Sequence, residues 1–130
     1  METTDARIRL PIGTLITPGF VTAFRRLCQA PLPAPTAYAL KRTHDQIVGE
    51  SAAAEAARVA CVKRHGRETG EQGWAVDPAT PGHQAFLAEM AEFRKTEVEL
   101  FLNRRIQLAD LGDFKISAAE LEALEPLLEL

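Results

Sequence analysis

The chain has only two cysteines, Cys28 and Cys61, and neither belongs to a Cys-x-x-Cys pair. A disulfide framework and a zinc knuckle are therefore not expected, and both residues read as small hydrophobes on helices. No stretch approaches the roughly 20 apolar residues that span a bilayer. The start, Met1-Glu2-Thr3-Thr4-Asp5, lacks the basic and apolar regions of a secretory signal, so the expected location is the cytoplasm, away from any membrane. The three histidines, His44, His65 and His83, fall in no His-Glu-x-x-His or Cys/His spacing, and no bound metal or other cofactor is expected. Gly66 and Gly70 are not followed by the Gly-Lys-Ser/Thr of a phosphate loop. Ser51 has no evident base, Ser117 is committed to capping, and the glutamates 89, 92, 120, 122 and 125 fit solvated helix faces. No catalytic residue is assigned and the chain is expected not to be an enzyme.

What remains describes a folded domain. The 130 residues, 46% hydrophobic and 25% charged, suit one domain with its own core. The net charge of −3 is unevenly placed, with ten Lys or Arg against five Asp or Glu through Arg67 and five against thirteen beyond it. The two halves should attract, either within one molecule or between copies.

Residues 1–130 read as a single, mainly α domain. Arg7-Ile8-Arg9-Leu10 alternates as a short edge strand ending at Pro11. A short helix is predicted over 17–29, with Thr17 as cap, Pro18 in the first turn, and Phe20, Phe24 and Leu27 on one face. After the stiff Pro31, Pro33 and Pro35, residues 36–65 predict a long helix of roughly 45 Å. Leu40, Ile47, Ala54 and Cys61 recur along it every seven residues, and the alanines from 52 to 60 keep its second half slim. That surface suits a close-packed helix in an antiparallel hairpin, or reflects helix propensity alone. The mate is 81–96, with Thr80 as cap and Phe86, Met90 and Phe93 on the buried face, after a loop in which Trp74-Ala75-Val76 is extended. Residues 97–130 predict an extended segment plus a cap helix. Val98, Leu100 and Leu102 share one face and pair with Ile8 and Leu10, and Ile106 and Leu108 are extended. Phe114 and Ile116 continue the β element, Ser117 and Glu120 form a capping box, and Leu121, Leu124 and Leu127 close the hairpin base.

Candidate interaction residues are Tyr38 and Trp74, the large amphipathic aromatics, and Ala53, Ala57 and Ala60 on the slim helix. Trp74 either anchors a partner or caps the open end of the hairpin. Lys63-Arg64-His65-Gly66-Arg67 is the densest basic cluster, and Arg25-Arg26 and Arg104-Arg105 are further pairs. Arg25, Arg26, Lys63, Arg64 and Arg67 would hold a phosphorylated small molecule or nucleic acid if the fold gathered them. The plainer reading sets the cluster's charge against the negative end of the long helix.

Several segments occur in a characteristic order: Leu32-Pro33-Ala34-Pro35-Thr36-Ala37-Tyr38-Ala39-Leu40, a long helix to His65-Gly66, Trp74-Ala75-Val76 before a Phe86 helix, Thr96-Glu97-Val98-Glu99-Leu100, and a closing Leu111-Gly112 to Leu124-Glu125-Pro126-Leu127. In this order, over about residues 30 to 130, the chain resembles a family of small proteins of tailed bacteriophages and prophages. That resemblance implies no known activity and carries over no catalytic residue. The alanine-rich helix departs from a family pattern richer in glutamate and lysine. The resulting expectation is a phage-type protein of the host cytoplasm acting by protein–protein interaction, as a host-directed or anti-defence factor or by homo-oligomerisation. The alternatives are ligand sequestration by the basic cluster and a role in the virion or in tail assembly.

Overall fold

The computed structural model describes residues 6–70, 73–102 and 105–129. Residues 1–5, Arg104 and Leu130 lie outside them. The described residues are mainly helical and include three small two-stranded sheets.

Strand β1 (Ala6–Pro11) pairs antiparallel with β4 (Glu97–Leu102), setting Ile8 opposite Leu100 and Leu10 opposite Val98. Ile8, Leu10, Val98, Leu100 and Leu102 are buried while Arg7, Arg9, Glu97, Glu99 and Phe101 face out, as strand alternation requires. A single turn, α1 (Ile12–Leu15), and then α2 (Pro18–Cys28) follow β1, and Phe20, Phe24 and Leu27 are buried on the expected face. Thr17 does not cap α2 through its side chain. Its hydroxyl donates to the Gly13 carbonyl at 2.6 Å, closing the preceding turn instead.

Helix α3 (Ala34–His65) runs 32 residues. Its heptad positions Leu40, Ile47, Ala54 and Cys61 are all buried. The two-residue strands β2 (Arg67–Glu68) and β3 (Trp74–Ala75) then pair antiparallel beside its C-terminus. Helix α4 (Pro81–Arg94) packs on α3, with Phe86, Met90 and Phe93 partly covered and no residue fully buried. Thr80 is not its side-chain cap, because that hydroxyl donates to the Asp77 carbonyl at 2.7 Å.

Strand β5 (Ile106–Gln107) pairs in parallel with β6 (Leu128–Glu129). Leu108 is not extended. It opens a 3-10 turn over Leu108–Leu111, in which Gln107 and Asp110 form a capping box. Phe114 and Ile116 do not continue a strand either. Both pack partly buried against the core, and Arg26 lies across Phe114 at 4.4 Å from the ring centre. Helix α5 (Ala118–Leu124) begins with the expected box, since the Glu120 amide donates to Ser117 Oγ and the Ser117 amide donates to Glu120 Oε1. It packs on α2, and Leu127 reaches Leu40, Leu102 and Ile106. Both termini of the described chain thus close one core.

Candidate functional site

The alanines in the second half of α3 divide between the core and the surface. Ala54 and Cys61 face the core, while Ala52, Ala53, Ala56 and Ala60 are exposed and Ala57 is half-covered. Advancing 100° per residue, Gly49, Ala52, Ala53, Ala56 and Ala60 make one slim stripe on the helix. Glu50 stands near its start and Lys63 and Arg64 near its end. Glu55 and Arg58 lie off the stripe, paired to each other at 2.6 Å. Next to this stretch, α4 exposes Leu87 at 47%.

The other interaction candidates lie apart from the stripe. Tyr38, 57% exposed, sits in an early turn of α3 with the Arg42 guanidinium 5.9 Å from its ring centre. Phe101 shares that surface, with Arg7 stacked on it at 4.7 Å, and Gln46 ties its backbone to α3 by accepting from its amide and donating to its carbonyl. Trp74, 42% exposed, lies in β3 with Lys63 Nζ 5.9 Å from its ring centre. Tyr38 and Lys63 are separated along α3 by roughly 38 Å.

The proposed phosphate cations do not converge. Arg26 turns to α5, donating to both Glu120 oxygens at 3.0 and 3.1 Å and to the Lys115 carbonyl at 2.6 Å. Arg25 borders a groove between α2 and α3 of about 570 Å3, walled mainly by Phe20, Val21, Phe24, Ile47 and Val48. Phe24 stacks on His44 at 6.2 Å, which sets this end of α2 some 28 Å of helix before Lys63. Arg64 pairs with Glu89 of α4, and Arg67 is exposed in β2. Among the described residues, the arginine–glutamate pairs Arg9 with Glu99, Arg26 with Glu120 and Arg64 with Glu89 join the basic and acidic halves within the molecule.

One cluster was not legible as a site in the linear spacing. Cys61 and His65, one turn apart on α3, meet Glu89 of α4, and one ligand atom from each lies within 4.8 Å of the others. His65 Nε2 is 2.8 Å from Glu89 Oε1, while Arg64 holds Oε2. Cys-x-x-x-His on a helix is the only local signal of this group; the third member comes from another element. Close by, Gly82 abuts the His65 carbonyl, where an added Cβ would come within 2.7 Å. No other group of three such donors meets among the described residues. Burial raises the Cys28 thiol to about 11, so it stays protonated at neutral pH. No described helix is long and apolar enough to cross a membrane. No protein-family model matches this chain, and neither a curated protein nor a solved structure matches it.

Proposed function

We propose that this chain is a non-enzymatic, phage-type interaction protein of the host cytoplasm, whose α3–α4 helical hairpin binds protein, first of all a second copy of itself. The observation that carries this reading is the exposed small-residue stripe on α3, which runs from Gly49 to Ala60 and ends at Lys63. Alanine leaves the backbone open to close approach, and helices packed through small side chains reach the short end of the 8–10 Å interaxial range. A twofold axis near Ala56 lays two copies antiparallel, so that the Gly49 end of each stripe faces the Lys63 end of the other. The same patch then serves both partners, as an isologous dimer requires.

Sequestration of a phosphorylated ligand has less support, because Arg26 is engaged with α5 and the remaining cations are distributed along α3 and β2. Sedimentation velocity over a concentration series tests the dimer. The intact protein should shift from monomer to dimer, and Ala53→Glu with Ala60→Glu should hold it monomeric at high micromolar concentration. A monomer throughout the series, or a dimer indifferent to both substitutions, refutes self-association through this face.

A further inference from the structure

We propose that Cys61, His65 and Glu89 form a binding site for one divalent transition-metal ion of the zinc class, with the fourth coordination position left to water or an incoming ligand. This proposal is independent of self-association, since Cys61 lies on the core side of α3 and Ala56 on the opposite side.

Residues four apart on a helix project from one face a turn apart, so Cys61 and His65 present sulfur and imidazole to the same neighbour. That neighbour is α4, which supplies the Glu89 carboxylate. Metal–ligand bonds of about 2.0–2.3 Å in a tetrahedron place ligand atoms about 3.3–3.7 Å from one another. The observed limit of 4.8 Å across the cluster, and the 2.8 Å between His65 Nε2 and Glu89 Oε1, bracket that spacing. The imidazole and carboxylate must separate by roughly 0.5 Å, and the sulfur must close in by up to about 1 Å, to accept an ion.

The donor chemistry selects the cation. A thiolate with an imidazole favours zinc, cobalt or another borderline-soft ion over magnesium and calcium, which take oxygen. One thiolate and one carboxylate together neutralise a divalent charge. Binding exchanges a proton for metal: the Cys61 thiol releases its proton to solvent as the metal–sulfur bond forms, and the hydrogen bond between His65 and Glu89 gives way as both turn to the ion. Arg64 on the second carboxylate oxygen fixes the carboxylate's orientation, the part an outer partner commonly plays at such sites. Cys61 is 2% exposed and the Glu89 side chain 38%, so the sulfur is sheltered while the carboxylate side faces the entry path. A simple ion pair between the helices needs only Glu89 with Arg64 or His65; the thiol adds the donor that such a pair does not use.

The test uses the full chain, reduced, freed of metal with a chelator, and titrated with cobalt(II) and then zinc(II). One equivalent of cobalt should produce thiolate-to-cobalt charge-transfer absorption and the visible bands of a four-coordinate ion, and zinc should displace it. Cys61→Ser should remove the charge-transfer band, while Cys28→Ser should keep it. His65→Gln and Glu89→Gln should each weaken binding at least tenfold. Circular dichroism checks folding; should Cys61→Ser fold poorly, the part-exposed Glu89→Gln decides the matter. No charge-transfer band in the intact protein, a band that survives Cys61→Ser, or unchanged affinity in Glu89→Gln would overturn the proposal.

Discussion

Arg26 makes more contacts than its exposed position on α2 suggests. Its guanidinium covers Phe114, binds the Lys115 carbonyl and forks onto Glu120, so one side chain fastens the segment before α5 as well as the helix start. The Glu120 carboxyl is held below its ordinary range, first by the Ser117 amide that donates to it and then by the Arg26 charge. A depressed carboxyl contributes stability above its unfolded value, near 4.3 for glutamate, and that contribution fades as pH falls through the folded value. Glu120→Gln should therefore be less stable than the parent in urea at pH 7, and the difference should shrink below about pH 4. Ser117→Ala removes the other half of the box and should cost about 1 kcal/mol at pH 7. The box was readable from Ser117 and Glu120 because its members are three residues apart, whereas Arg26 stands 94 positions from Glu120 and nothing local announces it. Thr17 and Thr80 mark the limit of the same rule. A threonine hydroxyl beside a helix start can also donate backward to a carbonyl, and here both do.

Elements were legible in proportion to their length and periodicity. The seven-residue recurrence in α3 places Leu40, Ile47, Ala54 and Cys61 inside because a pattern kept from Leu40 to Cys61 leaves little choice of face. The β1–β4 register follows from alternation on both strands. By contrast, β5 and β6 are two residues each, pair in parallel across the acidic quarter of the chain, and carry no period to read. The metal-type cluster escaped for a related reason, since Glu89 resembles any other glutamate on a polar helix until α4 is laid on α3. Gly49 within α3 and Gly66 just beyond it separate propensity from packing. Gly49 is exposed and an added Cβ meets nothing within 4 Å, so Gly49→Ala should stabilise the protein by about 0.5–1 kcal/mol. At Gly66, just past the helix, an added Cβ falls on the Ala75 and Val62 carbonyl oxygens. Gly66→Ala must move β3 and should cost about 1–3 kcal/mol by denaturant titration.

At the scale of the whole molecule, the question is whether the distal end of α3, with β2, β3 and α4, shares the stability of the core around α2 and α5. The core end is closed by the last residues: Leu124, Leu127 and Leu128 are almost completely buried, and Leu127 shares a tight crevice with Ala39, Leu40, Thr43, Leu102 and Ile106. Leu127→Ala leaves a cavity among these side chains and should cost about 2–5 kcal/mol, a large share of a typical total of roughly 5–15 kcal/mol. The single tryptophan provides a probe far from that cavity, because Trp74 sits beside Lys63 at the opposite end of α3 from Leu40. An uninterrupted helix of 32 residues that contributes Leu40 and Ile47 to one end and Cys61 and Val62 to the other couples the two mechanically. The expected outcome is one transition: helical circular dichroism and Trp74 fluorescence should shift together to lower urea in Leu127→Ala, with the slope of unfolding unchanged. If the dichroism midpoint falls while the Trp74 midpoint stays in place, the distal end folds as a separate unit, and contacts across α3 do not transmit stability between its ends.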